Sequence, residues 1–306
     1  MNREFILDFM KEDNYPEEAI AEFDRVIGVL RDKGKEPLMD RLREKYIASE
    51  DKGLGYYVEQ MDALAEETDI STYTLQEVFI VSCMDELHDR YAAAGIEDEI
   101  YRQGAADLTA KLLECKEVKG VWGTFVCTWN GGMFSMNRFA LGRFQYEKSD
   151  WPYERYEKNG IVIEKGEPLY YIHIPSLPVP LTDEVRYDSY RKAYDFLIRR
   201  RGLSGPLKCR CCSWLMYKEM QNFLPPTSNI LKFQRDFDIV YSNDTEKFGD
   251  AWRVFGHWAD GDVKDYPQDT SLRKAYAQRL LSGKPAGNGT GVLIFDGEKL
   301  LNNDWD

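Results

Sequence analysis

The chain has 306 residues, enough for two domains, and its 43% hydrophobic, 13% aromatic and 30% charged residues mark an ordered globular protein. A formal net charge of −13 repels phosphate backbones and anionic lipid, which argues against nucleic acid or a membrane as partner. No run of about 18 apolar residues and no cleavable leader is apparent, so a cytoplasmic protein is expected, with its six cysteines (Cys83, Cys115, Cys127, Cys209, Cys211 and Cys212) held as thiols.

From Asn2 to about Val118 the signals are almost all helical. Pro16 suits a first helical turn, Glu17 and Glu18 suit its positive end, and Ala19, Ile20, Phe23, Val26, Ile27 and Leu30 mark one apolar face before Gly34. A second helix is expected over Pro37 to Ala48 and a third after Gly55. A fourth opens on a capping-box pattern, Thr74 with Glu77, and carries its face through Val78, Ile80, Val81, Met84, Leu87, His88 and Tyr91 to Gly95. A fifth runs from Glu97 to Glu117. His88 has no partner at ligand spacing and reads as a packed or surface histidine.

Between Gly120 and Gly142 charges thin out and Trp, Phe and Gly accumulate, as at an interdomain seam. The expected domains are therefore 1–120, helical, and 121–306, built on a sheet. Arg138 to Lys148 alternates, with Phe139, Leu141, Arg143, Gln145 and Glu147 on one side, which is the period of a strand. With Ile161 to Glu164 and Pro168 to Ile174 it reads as a three-stranded antiparallel meander.

The stretch from Pro168 to Trp214 reads as strand, turn, helix, strand, a βαβ unit whose strands should be parallel. Thr182 is the N-cap candidate, Val185, Tyr190, Ala193, Tyr194, Leu197 and Ile198 form the buried stripe, and Gly202 is the stop. Leu207 to Ser213 is the second strand. A helix over Trp214 to Phe223 and a strand at Phe237 to Tyr241 follow, then a late insertion with a helix at Ser271 to Leu281, and a last strand at Gly291 to Asp296, so that apart from the insertion the order is β-β-β-α-β-α-β-β. In such sheets ligands gather at the carboxyl ends of the strands, here Pro175 to Thr182 and Ser213 to Tyr217.

That order resembles the GNAT acyltransferase fold. More closely, the chain resembles a bacterial family that joins a helical N-acyltransferase N-terminal domain to a GNAT-like C-terminal domain. The resemblance rests on LGRFQYE at Leu141 to Glu147, YIHIPSLPVPL at Tyr171 to Leu181, CSWLM at Cys212 to Met216 and LPPTSNILKFQRDF at Leu224 to Phe237. It implies an α+β or α/β protein with a mixed sheet, and transfer of an acyl group from acetyl-CoA or another acyl-CoA to a small-molecule or peptide amine. It further implies that the turn and strand ends at Ile174, Pro175, Ser176, Leu181, Thr182 and Ser213 hold the coenzyme, its diphosphate on backbone amides and its thioester in the gap between the two parallel strands.

His173 and Glu147, both at strand ends, are the candidate bases for an acceptor amine, and Tyr217 is the candidate acid for the leaving thiolate. Cys209 and Cys211 share one strand face, and two ligands do not make a zinc site, so no metal is expected. The family's glycine-rich signature is absent, the turn reading Ser176-Leu177-Pro178-Val179-Pro180-Leu181. This departure supports a rival reading, a non-catalytic small-molecule or peptide binding protein whose cleft is lined by Trp122, Trp129, Trp151, Tyr153 and Tyr156.

Overall fold

Ala19, Phe23, Val26, Ile27 and Leu30 lie along one side of a helix over Glu17–Asp32 and are all withdrawn from solvent, which is where an apolar stripe of this spacing belongs. In the computed structural model, which describes residues 1–302, this helix (α2) is one of a series: α1 (Arg3–Glu12), α3 (Glu36–Ala48), α4 (Gly55–Thr68), α5 (Thr72–Ser82), α6 (Met84–Ala93) and α7 (Asp98–Lys119). Gly120, at φ 75°, ends α7 in the left-handed conformation that glycine adopts without strain.

Two readings of this region are corrected. The single helix expected from Thr74 to Gly95 is two, α5 and α6, interrupted at Cys83. Thr74 and Glu77 form no capping box: Ser71 is the N-cap, the Thr74 hydroxyl donates to the Trp122 carbonyl at 2.8 Å, and Glu77 accepts from the Tyr15 hydroxyl at 2.7 Å. Every residue of α5 from Thr74 to Ser82 is buried, so long-range packing decides the role of its polar side chains.

The aromatic segment after Gly120 stays with the helices. The Thr124 amide donates to the Tyr73 carbonyl at 3.0 Å, and Gly123 lies so close to Tyr73 that a Cβ there would stand 2.4 Å from its backbone. A 3₁₀ turn at Cys127–Asn130 and a short helix, α8 (Gly131–Phe134), follow. The first unit is accordingly Met1–Phe139 and the second begins at Ala140, so the division falls after residue 139 and not at 120.

The second unit holds β1 (Arg138–Leu141), which contains the division, then β2 (Phe144–Asp150), β3 (Tyr156–Lys158), β4 (Ile161–Ile163), β5 (Pro168–His173), α9 (Asp183–Tyr194), β6 (Leu207–Ser213), α10 (Asn229–Arg235), β7 (Asp238–Thr245), α11 (Ala251–Phe255), α12 (Ser271–Leu281) and β8 (Ala286–Phe295). The main sheet runs β1-β2-β5-β6-β8-β7, with β5 and β6 parallel and the pairs β2/β5, β6/β8 and β7/β8 antiparallel. The βαβ unit is thus present.

Arg138 to Lys148, expected as one alternating strand, is a hairpin. Gly142, at φ 73°, turns the chain, and the Ser189 hydroxyl on α9 clasps the turn by donating to the Leu141 carbonyl at 2.5 Å and accepting from the Phe144 amide at 3.2 Å. The segment at Ile161 pairs with β3 in a separate two-stranded sheet, so β2 meets β5 directly. The helix expected over Trp214 to Phe223 is two 3₁₀ turns, Trp214–Met216 and Lys218–Asn222, while β7 and β8 are longer than expected. Phe144, Tyr190, Phe233 and Phe295 pack one face of the sheet with α9 and α10. The other face carries Leu169, Val292 and Ile294, covered by Trp151, Tyr156 and Ile163. Among the described residues no helix is long and apolar enough to cross a membrane.

Candidate active site

β5 and β6 are in register at two positions, Tyr170 with Cys209 and Tyr171 with Arg210. Beyond them β5 continues to His173 alongside β2, and β6 continues to Ser213 alongside β8. Each strand keeps its outer neighbour and leaves the inner one, which opens a gap at their carboxyl ends. The Tyr171 hydroxyl donates to the Cys212 carbonyl at 2.8 Å beside this gap.

Alternation places Glu147, Tyr171, His173 and Arg210 on one face of the sheet, because Glu147 and Arg210 are the register partners of Tyr171 and His173 is two residues further on. His173 Nε2 stands 2.8 Å from Glu147 Oε2, with both side chains largely withdrawn from solvent. A carboxylate only accepts, so Nε2 carries the hydrogen and Nδ1 is the basic nitrogen of the ring. The Tyr171 ring lies 4.2 Å from the His173 ring, and the Arg210 guanidinium lies over Tyr171 at 4.3 Å. Burial pushes the Tyr171 phenol above its ordinary range, keeping it neutral. The two candidate bases are therefore one hydrogen-bonded pair.

The turn after β5 is built differently from a glycine-rich one. Ile174 is half-buried, Pro175 buried and Ser176 exposed. The Leu181 carbonyl accepts from Arg186 Nη1 at 2.8 Å, and the Thr182 hydroxyl N-caps α9 by accepting from the Val185 amide at 3.4 Å. The amides of Ser176, Leu177 and Val179 donate to no group of the protein among the described residues. The prolines at 178 and 180 carry no N–H, so these three amides, with that of Leu181, are the turn's uncommitted backbone donors beside the N-terminus of α9. Arg143, read in the sequence only as a strand residue, holds this turn from beneath: Nη1 donates to the Pro175 carbonyl at 2.8 Å and Nε to the Val179 carbonyl at 2.9 Å. Gln145 was likewise read only as a strand residue. It is the register partner of His173, is 4% exposed, and its Oε1 accepts no hydrogen bond among the described residues.

Ser213 ends β6, its hydroxyl accepting from the Leu215 amide at 3.1 Å. Tyr217 does not join the pair. It is buried against β8, where its ring fills the space a Cβ at Gly287 would need, and its hydroxyl donates to Asp244 and accepts from Arg279 Nη2 at 3.0 Å. Burial first, and then the bond to Asp244, push this phenol up. Cys209 and Cys211 are fully buried, and burial pushes both thiols well above the usual range, as for inert core cysteines. Trp151 and Tyr156, expected to line a cleft, are core residues at 2% and 6% exposure, and the Trp129 indole donates to Asp107 at 2.9 Å.

Residues 4–136 match the family model of an N-acyltransferase N-terminal domain, and residues 139–293 match that of a GNAT-like C-terminal domain. No curated protein matches the chain. Among solved structures, an acyltransferase in complex with decanoyl-CoA and teicoplanin superposes with a TM-score of 0.73 at 18% identity, over 94% of this chain and 87% of that one. An acyltransferase in complex with CoA and 10C-teicoplanin does so with a TM-score of 0.71 at 18% identity, over 93% and 86%. At this identity the likeness is one of fold, a helical region followed by a GNAT-like mixed sheet. The chain belongs to the family that joins an N-acyltransferase N-terminal domain to a GNAT-like C-terminal domain.

Proposed function

We propose that this protein is an acyl-CoA-dependent N-acyltransferase that moves an acyl group from the coenzyme A thioester to an amine. The observation that carries the reading is the His173–Glu147 pair on the strands bordering the gap between β5 and β6. His173 Nδ1 takes a proton from the acceptor nitrogen as that nitrogen attacks the thioester carbonyl carbon. Glu147 holds the ring and stabilises the imidazolium that forms. The carbon–sulfur bond breaks, and the imidazolium returns the proton to the departing thiolate, so one residue serves as base and then as acid. Tyr217 has no part in this scheme, because its proton is held by Asp244.

The free amides of Ser176, Leu177 and Val179, the N-terminus of α9 and the buried charge of Arg143 suit a diphosphate, which needs donors and positive potential together. The fold's likeness to acyltransferases captured with decanoyl-CoA or CoA supports the same donor here, and the teicoplanin complexes support a small-molecule or peptide acceptor. The net charge of −13 favours a cationic amine over an anionic acceptor.

Thiol release from acetyl-CoA and decanoyl-CoA, followed across a panel of primary amines, tests the reading. His173→Ala should lower turnover by roughly 100- to 10,000-fold while the thermal midpoint stays close to that of the unaltered protein. Turnover unchanged in this variant would remove His173 as the base.

A further inference from the structure

Arg143 occupies the turn of the β1–β2 hairpin and is 8% exposed. A guanidinium so far removed from water ordinarily has a carboxylate beside it, because an uncompensated buried charge is costly. Arg143 has no acidic partner among the described residues, and burial pushes its pKa down to about 10 with no acid opposing the shift. Its hydrogen bonds go instead to the Pro175 and Val179 carbonyls on the β5–α9 turn.

Those bonds orient the turn. In a planar trans peptide the N–H of one residue points opposite to the carbonyl of the residue before it. Drawing the Pro175 carbonyl toward Arg143 therefore turns the Ser176 amide away from it, and Ser176 is exposed. The Val179 carbonyl precedes Pro180, which has no N–H to misplace and whose ring fixes its own φ. A glycine-rich turn presents its amides because glycine permits the required backbone. Here a buried cation and two prolines impose the conformation.

We propose that Arg143 is the positioning residue of a diphosphate-binding turn, fastening it through two carbonyls and setting one positive charge beneath it in place of the glycine-rich signature. The ligand class is a diphosphate diester such as coenzyme A, so the inference rests on the donor reading given above. An anion on the outer side of the turn supplies the compensation that the folded chain withholds from this charge.

Calorimetric titration of the full chain with CoA, dephospho-CoA and decanoyl-pantetheine tests it, the last probe lacking both the diphosphate and the 3′-phosphate. Arg143→Gln should weaken CoA and dephospho-CoA alike by about tenfold or more and leave decanoyl-pantetheine within about twofold. Arg143→Lys, which keeps the charge but loses the fork that reaches both carbonyls, should fall between the unaltered protein and Arg143→Gln for CoA and dephospho-CoA and leave decanoyl-pantetheine within about twofold. Unchanged CoA affinity in Arg143→Gln would overturn the inference, as would an equal loss for all three probes, which marks a fold anchor alone. If none of the three binds the unaltered protein, the donor reading fails and the inference with it. Should Arg143→Gln not fold, the Nε–Hε resonance of Arg143 in the labelled unaltered protein decides. It should shift with dephospho-CoA and not with decanoyl-pantetheine, and the same response to both would overturn the proposal.

Discussion

A histidine and a glutamate 26 positions apart become one hydrogen-bonded pair here because β2 and β5 pair directly, setting Glu147 diagonally across from His173. Each was visible in the sequence as a polar residue at a strand end. Their pairing was not, since it depends on a register that the β3–β4 excursion leaves intact. Tyr217 shows the opposite case: its position after β6 suggested an acid, but Asp244 and Arg279, both distant in sequence, claim its hydroxyl. Arg143 was not a site candidate because alternation assigned it to a strand, whereas Gly142 makes it a turn residue. Glu147→Gln keeps a hydrogen-bond acceptor for His173 and removes the charge that stabilises the imidazolium. Its turnover should fall by about tenfold or more with acyl-CoA affinity unchanged, read by steady-state kinetics beside calorimetry. Turnover equal to that of the unaltered protein would make Glu147 a mere neighbour.

At the scale of elements, the helices and strands with clean periodicity, such as α2, α12, β5 and β6, were legible to within a residue or two. Those that failed did so for tertiary reasons. α5 is buried on every side, so Glu77 is not a cap but an interior carboxyl beside Tyr15, and burial lifts its pKa to about 7. Asp13 is lifted to about 6 by the same cause. Both groups hold their protons more tightly in the folded chain than in the unfolded one. Their contribution is therefore greatest below the unfolded pKa near 4.5 for Glu77 and is lost as pH rises through about 7. Glu77 alone is worth roughly 3 kcal/mol across that span. Denaturant midpoints from pH 4.5 to 8 should fall with pH, and Glu77→Gln, which still offers Tyr15 an acceptor, should flatten the fall; a slope as steep in the variant would rule Glu77 out as its source.

β8 began earlier than its apolar run implied because Gly287 and Gly289 lie inside it, residues that a sequence reading places outside strands. Structure supplies the reason for Gly289: a Cβ there would stand 2.0 Å from the Met216 carbonyl oxygen, so the 3₁₀ turn after β6 can pack on the strand only against hydrogen. Gly289→Ala should therefore destabilise the protein by roughly 1–3 kcal/mol, read from the urea midpoint. An unchanged midpoint would mean that the turn yields without cost.

At the scale of the molecule, the two units were visible as a change of composition, yet the boundary was not, because the aromatic stretch from Gly120 to Asn137 resembles a seam and folds as part of the helical unit. The parallel pair and the family resemblance were in the sequence, whereas the expected three-stranded meander is a hairpin beside β5 with a separate two-stranded sheet. What the prolines in the turn concealed was the backbone they leave free, with the amides of Ser176, Leu177 and Val179 uncommitted above a buried arginine. On the proposed function, this turn and the gap beside it hold an acyl-CoA. This is tested most directly by calorimetric titration of the full chain with CoA, acetyl-CoA and decanoyl-CoA. Saturable binding of all three is expected, tighter for an acylated form; no heat of binding from any of them at millimolar ligand would overturn the acyl-CoA reading.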